Sequence, residues 1–210
     1  MASQAQKVGD PRPYHHGDLR RALVLAARRL LEREGVAALS LRAVAREAGV
    51  SPAAPYHHFK DKSELLDAVA DEGWFELDNA LAEVAARATD EDDRLTEVLL
   101  AYVLFAREQP ALYRLMYDVA RNRKALPMMA HGGDETAYSR VRASLQVRGE
   151  RYTDVDVDLA IAAAWCAAHG LAEMAGFRQF DRLKTDLGGE RTFLAAVLRR
   201  MGLYRPPPRG

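Results

Sequence analysis

The chain has 210 residues, 49% of them hydrophobic, 29% charged and 8% aromatic, which is one or two small globular domains with enough apolar material for a real core. Ala is the commonest residue, at 37 against 14 Gly and 9 Pro, which favours helix, while a single Cys excludes a disulfide scaffold or a cysteine-based zinc site and suggests a reducing compartment. The net charge of zero conceals a division: residues 1–62 carry 11 Lys and Arg against 6 Asp and Glu, and residues 63–210 carry 19 against 24. A basic head on an acidic body suits a polyanionic partner at the head, the other reading being ordinary solvated surface.

The N-terminus has no apolar run, so no signal peptide is expected. No stretch of about 18 apolar residues is found, so no membrane span is expected and the expected location is the cytoplasm. Prolines mark the ends: Pro11 and Pro13 put 1–13 in a disordered arm, and Pro206, Pro207 and Pro208 put 205–210 in a disordered tail.

Between them the pattern is helical. A first helix is expected from about Gly17 to Glu34, with Leu19, Leu23, Ala26, Ala27 and Leu30 on one face and Gly35 behind it. A short helix follows from Leu41 to Ala48, capped by Ser40 and stopped at Gly49. A third, from Pro52 to Phe59, is capped by Ser51. Asp61 and Glu64 have capping-box spacing for a long helix from Lys62 to Ala86, with Leu66, Val69, Ala70, Gly73, Leu77, Ala80, Leu81 and Val84 as its buried stripe.

The acidic run Asp90-Glu91-Asp92-Asp93 opens a helix carrying Leu95, Val98, Leu99, Tyr102 and Phe105 and ending before Pro110. Pro110 to Tyr117 is a short helix, 120–133 a loop, and Asp134 to Arg148 another helix. Thr153 and Asp156 cap an apolar helix to about Gly176, and a last helix spans Glu190 to Met201. With about nine helices, no alternating strand pattern and no internal repeat, the expected fold is all-α.

Ser40 to Phe59 reads as a helix-turn-helix. Leu41, Val44, Ala45 and Ala48 form the inner face of its first helix and Val50 the corner, leaving the outer face of the second helix free. An α-helix fits the major groove of B-DNA, and helix N-termini with Arg42, Arg46, Lys60 and Lys62 nearby suit phosphate.

Tyr14 to about Gly73 resembles the DNA-binding domain of the tetracycline-repressor (TetR) family, through GDLRRALVLAARRLLEREG, LSLRAVAREAGVS and APYHHFKDKSELL in that order. The resemblance implies a homodimeric transcription regulator, with a three-helix DNA-binding domain at 14–73 and a helical effector-binding and dimerisation domain at 74–204. It also implies that ligand binding swings the long fourth helix. Ser40 and Arg42 would lie near a DNA phosphate, with Ser51, Ala53 and Ala54 at the start of the recognition helix. Tyr56 and His57 would touch backbone or bases, Lys60 a phosphate, and Phe59 would pack inward. Ordinary surface or cap roles are the other reading for Tyr56 and His57, and His58 reads as packing. Ala53, Ala54 and Pro55 offer few hydrogen-bonding groups, which favours methyl contact and shape readout. Pro55 near the fourth helical position makes the recognition helix short or distorted.

In the body, Trp165 followed by His169-Gly170 on a late helix resembles one C-terminal subgroup of the family, which implies dimerisation through the last two helices. Ile161, Ala164, Ala168, Leu171, Ala172, Phe193 and Val197 are the candidate interface residues. Trp74, Tyr102, Phe105, Tyr113, Met116, Tyr117, Met128, Met129, Tyr138 and Trp165 are candidates to line a chamber, each with core packing as its competing role. Such residues favour an apolar or aromatic effector.

No catalytic residue, metal site or cofactor is expected. The adjacent pairs His15-His16 and His57-His58 have no carboxylate at metal spacing, His169 and Glu173 read as a hydrogen-bonded pair, and Cys166 reads as buried and inert. The expected partners are double-stranded operator DNA, a small-molecule effector and a second copy of the chain. The rival readings are a helical adaptor without DNA binding and a small-molecule-binding protein.

Overall fold

In a computed structural model of the chain, residues 16–89, 91–124, 138–139, 142 and 154–201 are described. Among them are eight α-helices and three short 3-10 helices, so the fold is all-α. The chain divides into two compact units, residues 1–65 and 66–210.

In the first unit, α1 (His16–Glu34) packs on α2 (Leu41–Glu47). Leu23, Ala26, Ala27, Leu30, Leu41, Val44 and Ala45 are buried, as the apolar spacing requires. Ser40 caps α2, its Oγ accepting from the Ala43 N–H at 3.1 Å. The turn beyond α2 depends on Gly49, whose φ of 70° is the left-handed region that a side chain disfavours.

The segment expected to be a third α-helix is instead a 3-10 helix, Ala54–His57. Pro55 is the reason. It has no N–H to return to the Ser51 carbonyl, and the Ala54 N–H takes that acceptor at 3.0 Å, an i→i−3 bond. The tighter winding continues in Tyr56 N–H to Ala53 O, and the Pro55 ring is buried.

The long helix α3 (Lys62–Arg87) starts on a modified capping box. The Glu64 N–H donates to Asp61 Oδ1 at 3.0 Å, but the Glu64 carboxylate accepts from the Lys60 N–H at 2.7 Å, one residue before the usual partner.

In the second unit, α4 (Glu91–Glu108) packs against α5 (Pro110–Arg123), α6 (Asp154–Met174) and α8 (Glu190–Arg200). Contact on several sides buries not only Leu95, Val98, Leu99, Tyr102 and Phe105 but also Thr96, Leu100, Val103 and Ala106. Helix α5 runs through the residues expected to begin a loop and ends on Lys124 at φ 51°. Its last turn is held by Arg123, which ion-pairs with Asp71 at 2.6 Å and Asp67 at 3.3 Å on α3. A 3-10 turn at Arg178–Phe180 and a short α7 (Asp181–Asp186), neither anticipated, precede α8. The arm 1–13, the tail 205–210, the loop residues Met128 and Met129, the cap Thr153 and nearly all of the helix expected at 134–148 lie outside the described residues.

One expectation about α6 is corrected. An 18-residue window within Val155–Met174 averages a mean hydropathy of 1.3, long and apolar enough by length and composition to cross a membrane. Alanine supplies much of that value, and Val157, Ile161, Ala164, Ala168 and Leu171 are buried in the helical unit.

Gly73 lets α3 and α5 approach closely. A Cβ there would lie 2.7 Å from Met116 Sδ and 3.1 Å from Leu112 Cδ1, and both partners are fully buried. Overpacking of this kind outweighs the roughly 1 kcal/mol that Ala gains over Gly in a helix. Gly73→Ala is therefore expected to lower stability by about 1–2 kcal/mol in urea denaturation. The same substitution in a Met116→Ala background should cost less, because the obstructing sulfur is gone.

Candidate nucleic-acid interface and effector chamber

The outer surface of the first unit is built by what Pro55 and Phe59 bury. Phe59 is 1% exposed, and the Arg20 guanidinium lies over its ring at 5.1 Å. With those two residues inward, Ser51, Pro52, Ala53, Tyr56, His57 and Lys60 are exposed, Tyr56 at 53%, while Ala54 and His58 are half-buried. Ser40 and Arg42 are exposed at the start of α2. Every residue singled out for DNA contact except Ala54 is thus exposed.

The charge around this surface is partly self-cancelled. Arg33 Nη2 meets Glu47 Oε2 at 2.9 Å and Arg29 Nε meets Oε1 at 3.3 Å. The hydrogen bonds from Arg33 and then Arg29 hold the Glu47 carboxyl below its ordinary value. The one acid of α2 is thereby neutralised, leaving Arg42 and Arg46 to set its field. Lys62 Nζ donates to the Val36 carbonyl at 3.0 Å, so this lysine anchors the 3-10 turn after α1.

In the second unit, a cavity of about 40 Å³ is lined by Leu81 of α3, Leu95, Val98, Leu99 and Tyr102 of α4, Tyr138, and Ile161, Ala164, Trp165 and Ala168 of α6. Of the residues singled out for a chamber, Tyr102, Tyr138 and Trp165 line it. Trp74, Tyr113 and Tyr117 stand behind that wall in an aromatic cluster. Trp74 lies edge-on to Tyr117 at 5.3 Å and stacks on Trp165 at 6.5 Å, and Tyr113 meets Tyr117 at 4.9 Å. Phe105 and Met116 are buried away from the cavity lining. The aliphatic lining escaped sequence reading because Leu and Val on α3 and α4 look like any core residue.

A chain of hydrogen bonds runs through the cluster. Trp165 Nε1 donates to Tyr117 Oη at 3.0 Å, Tyr117 bonds Tyr102, Tyr102 bonds Tyr113 at 2.8 Å, and Tyr113 reaches His169 Nδ1 at 2.5 Å. Burial pushes the phenols of Tyr102, Tyr113 and Tyr117 up, so they remain protonated. His169 therefore pairs with Tyr113 on α5, not with Glu173 one turn along its own helix. No group of three or more His, Cys, Asp or Glu that could hold a metal is found among the described residues. The Trp74 indole N–H is buried and has no hydrogen-bond partner among the described residues.

Six of the seven candidate interface residues, Ile161, Ala164, Ala168, Leu171, Ala172 and Phe193, are buried within the single chain, and Val197 is half-buried. The α6 members pack inside one protomer, and three of them, Ile161, Ala164 and Ala168, line the cavity. The exposed stripe of α6 is a different one: Val155, Leu159, Ala163, Cys166 and Met174, at helical spacing. Cys166 is thus exposed, contrary to the expectation of burial.

The family model for bacterial regulatory proteins of the tetR family matches residues 23–69. The model for the tetracyclin repressor-like C-terminal domain matches residues 95–201. A protein of unknown function from Rhodococcus sp. RHA1 has a similar structure at 31% identity, with a TM-score of 0.69, covering 91% of this chain and 98% of that one. A TetR-family transcriptional regulator from Streptomyces coelicolor matches at 23% identity and TM-score 0.62, covering 90% of this chain and 97% of that one. Another, from Pectobacterium atrosepticum, matches at 22% and 0.61, covering 90% and 92%. At those lower identities the likeness shows the fold. Two matched domains in the family's order, joined on one chain, make this protein a member of the TetR family. It is a DNA-binding transcriptional regulator with a C-terminal domain of the kind that serves ligand binding and dimerisation, and it is not an enzyme.

Burial holds His169 below the ordinary imidazole range; the Glu173 carboxylate pulls it up again and the Arg121 guanidinium pushes it down. Tyr113 and Tyr102 face the ring from α5 and α4. An imidazole with a lower value folded than unfolded binds its proton more readily when unfolded. Its stabilising contribution is complete above about pH 6.5 and is lost as pH falls through the folded value. Urea midpoints measured between pH 7.5 and 5 should fall with pH in the wild type and fall less in His169→Gln.

Proposed function

We propose that this chain is a homodimeric repressor that binds a palindromic operator and is released by a small hydrophobic or aromatic effector. The observation that carries the DNA reading is the exposed Ser51–His57 turn, with Tyr56 and His57 outward and the exposed charges of Arg42 and Lys60 on the same unit. Residues 14–73 serve as the reading head. Ser40, Arg42 and Lys60 meet phosphate, while Ser51, Ala53, Ala54, Tyr56 and His57 enter the major groove. Two heads on one dimer read half-sites roughly 34–36 Å apart. A regulator of chromosomal DNA works in the cytoplasm.

Residues 74–204 form the effector and dimer domain, and the cavity on Tyr102 and Trp165 supports an apolar effector. The exposed α6 stripe supports a two-fold contact between chains. Ala163 and Gly170 keep it low, and a Cβ at Gly170 would meet nothing within 4 Å. A two-fold contact sets the central residue of such a stripe against its own copy, and Cys166 is near the centre.

Selection of bound sites from a random duplex pool tests the DNA reading. An enriched palindrome is expected, with affinity falling steeply with salt, by a log–log slope of about −0.9 per phosphate contact. Tyr56→Ala/His57→Ala should bind it about 10–100-fold more weakly. No enrichment at low salt from a folded dimer would favour the adaptor or ligand-binding reading. Mild oxidation of the native protein should link Cys166 to Cys166 of the second copy in a covalent dimer on a non-reducing gel. A dimer by sedimentation that resists this link would move the interface off the stripe.

A further inference from the structure

We propose that the chamber selects an uncharged hydrocarbon group, alkyl or monocyclic aryl, that forms no hydrogen bond with its wall; this rests on the effector reading above and names the class of ligand. Among the described lining residues three have polar side-chain atoms, Tyr102, Tyr138 and Trp165, and each is already engaged. Tyr138 Oη donates to Asp158 Oδ1 at 2.9 Å. Trp165 Nε1 donates to Tyr117 at 3.0 Å. Tyr102 Oη is shared among Tyr117, Tyr113 at 2.8 Å and His169 Nδ1 at 3.4 Å.

Proton counting gives this network a fixed direction. An indole N–H can only donate, and an unprotonated imidazole Nδ1 can only accept. Between these ends the hydroxyls fall into one order: Trp165 to Tyr117, Tyr117 to Tyr102, Tyr102 to Tyr113, and Tyr113 to His169 Nδ1. Each hydroxyl then donates once and accepts once along the chain. The order requires the His169 tautomer with its proton on Nε2, in line with the burial that keeps the ring neutral. Reversal would leave the Tyr117 proton facing the Trp165 N–H with nowhere to go.

The described lining turns almost no polar surface toward the cavity, so a ligand hydroxyl entering it would find its neighbours to be hydrocarbon and remain unpaired, and a buried unpaired polar group is strongly disfavoured. A carboxylate would fare worse, because no Lys or Arg is among the described lining residues and Arg142 is ion-paired with Asp158. Selection thus comes from the absence of free partners among the described lining residues. Size adds a second filter. About 40 Å³ holds two or three water-sized groups, so a ring enters by displacing leucine side chains, and each methylene that fills existing space should tighten binding about fourfold.

The test uses the full-length protein with toluene, phenol and benzoate, which share a ring and differ in one substituent. Binding is read by quenching of tryptophan emission and by shift in Tm. Toluene should bind, phenol at least tenfold more weakly, and benzoate not measurably. Phenol or benzoate binding as tightly as toluene, or no binding by any of the three, would overturn the proposal. Tyr102→Phe removes the middle hydroxyl and leaves the Tyr117 donor and the Tyr113 acceptor unpaired beside the space it vacates, just behind the wall, so the preference for toluene over phenol should narrow at least tenfold. An unchanged ratio in a variant that folds would overturn the role of the chain. Retention of the selected duplex is measured in parallel. Toluene binding without loss of duplex would sink the effector reading and leave the ligand class standing; release by benzoate alone would do the reverse.

Discussion

A helix packed on several sides must find an internal partner for every polar group it carries inward, and α4 carries Tyr102 there. Helices α5, α6 and α8 all lie against α4, and Tyr102 is 3% exposed. Its hydroxyl cannot reach water, and leaving it unpaired would be costly. The solution recruits Tyr113 and Tyr117 from α5 and Trp165 and His169 from α6, so one phenol ties three helices by directional bonds. The aliphatic remainder of the helix interface packs without such constraints, and the small cavity lies beside Tyr102 and Trp165.

In the first unit the governing constraint is a missing donor. Without an N–H on Pro55, the chain after Gly49 takes a tight i→i−3 winding and buries the proline and Phe59. What remains outside is a short surface with one aromatic ring, one imidazole, the Ser51 hydroxyl, the Lys60 ammonium and the methyl group of Ala53, that of Ala54 being half-covered. Such a surface is poor in bidentate hydrogen-bond groups, which shifts recognition toward shape and methyl contact. The clamp of Arg33 and Arg29 on Glu47 offsets the one negative charge of α2.

The two units answer different physical demands on one chain. The first is held by alanine and leucine packing with a few capping bonds, and it keeps its polar groups outside. The second places phenols, indoles and an imidazole inside, where the three phenols, the Trp165 indole and the imidazole are matched to one another. Membership of a regulator family fits that division, since a reading head needs an accessible polar face and a sensing body needs an enclosed apolar one.

Local chemistry determined much of this before any packing was known. The Ser40 cap, the Gly49 turn, the start of α3 at Asp61 and the winding defect at Pro55 depend on residues within four positions of one another, so they are legible in sequence. The apolar period likewise marked most of the buried face of α1, but of the stripe expected on α3 Leu66, Ala80 and Val84 are only half-buried, while Leu65, Ala68, Trp74 and Ala85 are buried instead. Other features depend on which helix lies opposite which. The partners of Arg123 in the last turn of α5 are Asp67 and Asp71, some 50 positions earlier in the chain, and the partner of His169 is Tyr113 on α5 rather than Glu173 beside it. The same applies to α6, where small residues mark equally well a contact within a chain or between chains. Tertiary packing turned Ile161, Ala164 and Ala168 inward to the cavity and left Cys166 outside, because a helix period fixes the faces of a helix but not the neighbours they meet.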